Sequence, residues 1–92
     1  MKVYIAGPMT NKFLLNRPRF YWWHLKLKLK GYKVMNPAVL PLGFSHDEYM
    51  TIAIAMLQAC DRVYLLKGWE HSKGANLEVT YAKMRNKEII EI

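Results

Sequence analysis

Arg17-Pro18-Arg19-Phe20-Tyr21-Trp22-Trp23-His24-Leu25-Lys26-Leu27-Lys28-Leu29-Lys30 admits two readings, and the choice between them decides the fold. Its second half, Leu25 to Lys30, alternates leucine and lysine with period two, as a half-buried strand does. Over the longer window Phe20, Trp23 and Leu27 share one helical face, with Trp22, Leu25 and Leu29 beside it. Leucine and lysine are good helix formers, the segment is of helical length, and Gly31 follows a lysine-rich last turn, as at a helix C-terminus. The helix reading is adopted, and it sets the pattern for the rest of the chain.

Working outward, Lys2 to Ala6 reads as a buried strand stopped by Gly7-Pro8, and Tyr32 to Met35 as a second, ended by Asn36-Pro37. Pro37, Pro41 and Gly43 punctuate a loop, after which Ser45 or Asp47 caps a helix running to about Ala59. Arg62 to Leu66 is the most β-like run, Gly68 to Ser72 a loop, Lys73 to Arg85 a helix and Glu88 to Ile92 a last strand. Connections of helical length between successive strands imply right-handed crossovers. The expected fold is therefore α/β: a three-layer, Rossmann- or flavodoxin-like sandwich around a small, mostly parallel four-stranded sheet. Ligands of such sheets bind outside the carboxyl ends of the strands, near the switch in strand order. Gly7 to Asn11, Asn36-Pro37 and Lys67 to Gly74 fall along that rim.

Ninety-two residues, 52% of them hydrophobic, suit a single domain over 1–92. One cysteine, Cys60, leaves no internal disulfide framework and no multi-cysteine zinc site, and without flanking basic residues it reads as a small core residue. The apolar stretch Val3 to Ala6 is too short for a secretory core, and no run approaches a membrane span, so a cytoplasmic protein is expected. His24, His46 and His71 lack metal-ligand spacing, and no motif implies a metal or cofactor. A formal net charge of +7 favours anionic partners without choosing among nucleotides, nucleic acid and membrane surfaces. The lysines of the first helix read most simply as a solvated face, which makes nucleic acid and membrane the weaker options. The large rings of Phe20-Tyr21-Trp22-Trp23 fall on successive helical faces and cannot all point into one sheet, so a homodimer or larger even assembly is expected.

Among the rim segments, Ser72-Lys73-Gly74-Ala75-Asn76-Leu77-Glu78 says most. Ser72 can cap the helix, Gly74 leaves backbone N–H groups open to an anion, and Lys73 adds charge at the positive end of the dipole. An ordinary capped helix explains these residues equally. Glu78 lies too far in for a capping box, and its helical neighbours Gly74, Ala75, Tyr81 and Ala82 include no cation to pair with it. A carboxylate on so small-sided a face is partly desolvated, as catalytic carboxylates are, although most helix glutamates are solvated. Gly7-Pro8-Met9-Thr10-Asn11 lacks both the dinucleotide fingerprint and the P-loop lysine, leaving a tight turn that brings backbone and Thr10 towards a ligand. Gly68-Trp69-Glu70 puts an indole where it either stacks on a base or shields the sheet edge. Asn36 either terminates its strand or also faces the ligand.

In order, Val3 to Thr10, Gly31 to Pro37, Cys60 to Leu66 and Gly68 to Glu78 resemble the nucleoside 2-deoxyribosyltransferase-like superfamily, nearly end to end. The nearest resemblance is to a branch of small proteins of unknown function common in bacteria and their phages. It implies cleavage or transfer at the N-glycosidic bond of a 2′-deoxynucleoside or its 5′-monophosphate, with Glu78 in the position of the nucleophile. It further implies Tyr4, Gly7 and Thr10 lining the sugar, with Tyr4 orienting that glutamate, Ser72, Lys73 and Gly74 at a 5′-phosphate, and Trp69 near the base; Pro8, Met9, Asn36 and Gly68 are expected among the substrate-binding residues. Two departures stand out. Where many relatives carry an aspartate in the middle helix this chain has Ala53, leaving Asp47, Glu48 or Asp61 to substitute. The segment Asn11 to Arg17 is short and carries Phe13-Leu14-Leu15, which suits a lid or subunit contact. A nucleotide-binding protein without turnover is the competing expectation.

Overall fold

The computed structural model describes residues 1–9 and 13–92, with 3-10 turns at Phe13–Asn16, Pro37–Val39 and Trp69–His71 between its main elements. Those elements are β1 (Lys2–Ala6), α1 (Arg17–Leu29), β2 (Lys33–Met35), α2 (His46–Gln58), β3 (Arg62–Leu65), α3 (Lys73–Met84) and β4 (Glu88–Glu91). The strands form one sheet in the order β2-β1-β3-β4, and every pairing is parallel.

Both inner strands are buried on two faces, as parallel strands are. Along β1, Tyr4 and Ala6 face the core shared with α2 and α3, while Val3 and Ile5 face α1. Val63 and Leu65 of β3 go with the first set, Tyr64 and, just past the strand, Leu66 with the second, which is the period of two that a pleated strand imposes. From β1 the chain moves outward to β2, then returns across β1 to β3 and on to β4. Right-handed crossovers therefore leave α1 on one face and α2 with α3 on the other. The switch in direction falls between β1 and β3.

The ambiguous segment is a helix. Phe20 and Leu27 are buried and Trp23 packs against the same core, whereas Trp22, Leu25 and Leu29 remain 59%, 54% and 78% exposed. Its end is fixed by Gly31 at φ +94°, with the Gly31 N–H donating to Lys28 O (2.9 Å) and Tyr32 N–H to Leu27 O (3.3 Å), a Schellman closure. Of the two caps expected for α2 it is Ser45 that serves. Its Oγ accepts from Glu48 N–H at 3.1 Å while Glu48 Oε1 accepts from Ser45 N–H at 2.8 Å, completing a capping box. Ser72 caps α3 by accepting from Ala75 N–H at 3.2 Å. Before α1, Leu14, Leu15 and Asn16 all take left-handed backbone angles (φ 50°, 56° and 60°), and Asn16 makes no side-chain cap. Its Nδ2 instead donates to Pro8 O at 2.8 Å, tying the entry of α1 to the turn after β1.

Candidate functional site

Ala75 and Ala82 let α3 lie directly on the sheet, both essentially without exposure, and carry Glu78 down with them to 6% exposure. Tyr4, fully buried in β1, donates its hydroxyl to Glu78 Oε2. The carboxyl is thus desolvated but not orphaned. Burial pushes its pKa up to about 7, partly opposed by the hydrogen bond from Tyr4, which favours the charged form. The Tyr4 phenol is held well above its ordinary value, first by burial and then by the charge and hydrogen bond of Glu78.

Above this pair opens a cavity of about 810 Å³, at the carboxyl ends of β1 and β3 where the strand order switches. Of the residues expected from the sequence, Tyr4, Gly7, Pro8, Met9, Ser72, Lys73, Gly74 and Glu78 all line it. Gly7 has a structural reason of its own: a Cβ there would stand 2.7 Å from Leu66 Cβ, so this close crossing of β1 and β3 admits only glycine. Thr10 lies outside the described residues.

Three expected residues are not brought to the cavity. Asn36 is buried with its side chain committed locally: Oδ1 accepts from Ala38 N–H at 2.9 Å, and Nδ2 lies 3.1 Å from His24 Nδ1. Trp69 packs against the core under α2 and α3, and its indole N–H donates to Glu91 Oε1 at 3.0 Å. That geometry matches shielding of the sheet edge and leaves the ring out of the cavity lining. Gly68 supplies the left-handed turn (φ +91°) that starts the 3-10 segment after β3.

The cavity also collects side chains that the sequence pattern did not single out for it. Leu15 comes from the 3-10 turn before α1, Arg17 from the first residue of α1, Leu40 and Leu42 from the loop after β2, and His46, Tyr49 and Met50 from α2, next to the rim residue Pro37. His71 joins them beside Lys73. His46 approaches the first turn of α3, its Cε1 lying 3.8 Å from where a Cβ on Gly74 would stand. The signal for His46 was its place directly after the Ser45 cap, which puts it at the rim end of α2; a search for metal spacing passes over it.

Glu78 is the one carboxylate among the described lining residues. Ala53 lines the cavity where the resemblance would place an aspartate, and none of the suggested substitutes reaches it. Glu48 is held in the capping box, Asp61 accepts from Lys2 N–H (3.1 Å) at the far end of the strands, and Asp47 is exposed in the first turn of α2. Near that far end, Cys60 is buried with its thiol pushed up to about 11 by desolvation, as a core residue rather than a nucleophile would be. Among the described residues no three His, Cys, Asp or Glu side chains gather to hold a metal ion. No described helix is long and apolar enough to cross a membrane.

Residues 1–91 match the family described as Domain of unknown function (DUF4406), and the chain belongs to that family. No curated protein matches it. Among solved structures its fold is similar to that of a 2-desoxiribosyltransferase from Leishmania mexicana, with a TM-score of 0.78, 20% sequence identity and 99% of this chain covered. The chain spans 63% of that protein's length.

Proposed function

We propose that this DUF4406 protein cleaves or transfers at the N-glycosidic bond of a 2′-deoxynucleoside or its 5′-monophosphate, with Glu78 as nucleophile. The observation that carries the reading is a buried glutamate, hydrogen-bonded by a buried tyrosine, at the floor of a cavity with no other described carboxylate. The fold similarity to a protein that transfers a 2-deoxyribosyl group supports it. In this reading Tyr4 holds Oε2 and leaves Oε1 to attack the anomeric carbon. The C1′–N bond breaks with its electron pair going to the base, through an oxocarbenium-like transition state, and an ester to Glu78 forms. The departing base takes up a proton from water in the open cavity. Water, or a second base, then attacks C1′ and releases the sugar. Lys73 and the N–H groups at the start of α3 suit a 5′-phosphate.

A second reading, nucleotide binding without turnover, is favoured by one specific observation: Ala53 stands in the lining where a proton-donating aspartate is expected. The two readings separate by chromatography of deoxynucleosides and their 5′-monophosphates after incubation with the protein. Release of free base, lost in Glu78→Gln, supports the enzyme; binding with no base released by the wild type supports the binder.

The same proposal includes self-association. Trp22, Leu25 and Leu29 form an exposed apolar stripe on the outer face of α1, which a second copy of this chain would cover.

A further inference from the structure

One face of α1 ties down the loop that follows β2. Arg17, Tyr21 and His24, at positions i, i+4 and i+7, form a single helical stripe. Arg17 Nη2 donates to Leu40 O at 3.0 Å, and the Tyr21 hydroxyl reaches Ala38 O at 3.5 Å. Asn36 Nδ2 lies 3.1 Å from His24 Nδ1. Asn36 is the buried centre of this arrangement. Its Oδ1 accepts from Ala38 N–H at 2.9 Å, capping the turn Pro37–Val39, and that bond fixes which end of the amide faces His24. The end is Nδ2, a donor only. The contact is therefore a hydrogen bond only while Nδ1 is an unprotonated acceptor.

Asn36 does not line the cavity, but the loop it holds does. Pro37, Leu40 and Leu42 form part of the wall, so a ligand feels Asn36 through the position of residues 37–42. We propose that Asn36 and His24 are a positioning pair for the cavity. With Nδ1 unprotonated they fix the wall and keep affinity high; with Nδ1 protonated, donor faces donor and the wall loosens. This inference rests on the proposed function for the class of ligand, and its test keeps the two apart.

The surroundings of His24 favour the neutral ring. Burial, and then the charge of Lys28 one turn along α1, hold its pKa below the ordinary value. The same helix presents Arg17 and Tyr21, and the loop presents Asn36. The strand residues packed under α1, Val3, Ile5 and Val34, carry no charge. None of these groups is a carboxylate that would hold a proton on the ring. His24 is accordingly neutral at pH 7 and takes up its proton only below about pH 6.5.

The test is calorimetric titration of Glu78→Gln, which does not consume ligand, with the four 2′-deoxynucleosides and their 5′-monophosphates at about pH 8 and about pH 5. His24→Asn and His24→Leu are each added to that parent. The asparagine puts an amide oxygen where Nδ1 stood and cannot take up a proton, whereas the leucine removes the acceptor. Between the two pH values, the parent should lose at least about threefold more affinity than His24→Asn does. His24→Leu should already bind at least about threefold more weakly than the parent at the higher pH, with His24→Asn close to the parent there. His46, His71 and the phosphate of a nucleotide are common to all three proteins, so their titration cancels in the comparison. Thermal melts at both pH values separate a loosened wall from a failed fold. Equal acid loss in the parent and His24→Asn, or His24→Leu binding as the parent does at the higher pH, would overturn the inference. Failure of every nucleoside and nucleotide to bind both the wild type and Glu78→Gln would contradict the functional reading itself, and this inference with it.

Discussion

Glu78 loses its proton against the preference of its surroundings. With its pKa at about 7 in the fold against 4.5 for an ordinary glutamate, the protonated form is favoured by burial, and the native state is most stable where that form prevails. Below about pH 4.5 the group is protonated whether folded or not and costs nothing. As pH rises towards 7 the unfolded chain releases the proton first, and stability falls, with the loss complete above about 7. Glu78→Gln should consequently stabilise the protein, by up to about 3 kcal/mol at pH 8 and by little at pH 4, as read from denaturant melts at the two pH values. The same shift sets the rate profile. If the carboxylate is the nucleophile, kcat/KM should fall on the acid side of about pH 7. An acid limb near pH 4.5 would remove the buried pair from the mechanism. Glu78 itself was legible in the sequence, because no capping or salt-bridge partner explained it. Arg17 and His46 were not, because the cavity assembles them from α1 and α2 across long sequence separations. Trp69 and Asn36 show the converse: a place on the rim does not dictate where a side chain points, and each is claimed by a nearby polar partner.

At the scale of elements, the boundaries read from turns and caps agree with the structure to within about a residue or two, since each is fixed by a local device. Ser45 and Ser72 start α2 and α3, and Gly31 ends α1. The alternating leucines and lysines of α1 misled only in appearance: of Leu25, Leu27 and Leu29, Leu27 alone reaches the core. The left-handed turn at Leu14, Leu15 and Asn16 could not be read at all, because no glycine marks it. Each leucine there sits in a conformation that costs L-residues roughly 1–2 kcal/mol. Leu15 lines the cavity, whereas Leu14 is 62% exposed, so the strain at Leu14 can be relieved without touching the site. Leu14→Gly should raise stability by about 1 kcal/mol and leave ligand affinity unchanged; a destabilised variant would mean that this turn is held by contacts of Leu14 itself.

At the scale of the molecule, one helix has to serve an entire face of the sheet. α1 buries Phe20 and Leu27 and leaves Trp22, Leu25 and Leu29 in solvent, with Lys26 Nζ 5.7 Å from the Trp22 ring centre and 4.6 Å from that of Trp23. Covering the stripe with a second copy should give a dimer or larger even assembly by light scattering at micromolar concentration. Leu25→Glu should return it to monomers without lowering the melt of the isolated fold, and a monomeric wild type would contradict the assembly. The parallel sheet and its switch point followed from reading α1 as a helix, and they locate the cavity. What the cavity selects depends on side chains converging from several elements, which no single stretch of sequence displays.

The most direct measurement is base release by the wild type and Glu78→Gln side by side, with binding of the same ligand measured on both. The account predicts free base from at least one 2′-deoxynucleoside or 5′-monophosphate with the wild type, none with Glu78→Gln, and affinity retained in the variant. Turnover that survives Glu78→Gln, or a wild type that binds these compounds without ever releasing a base, would contradict it.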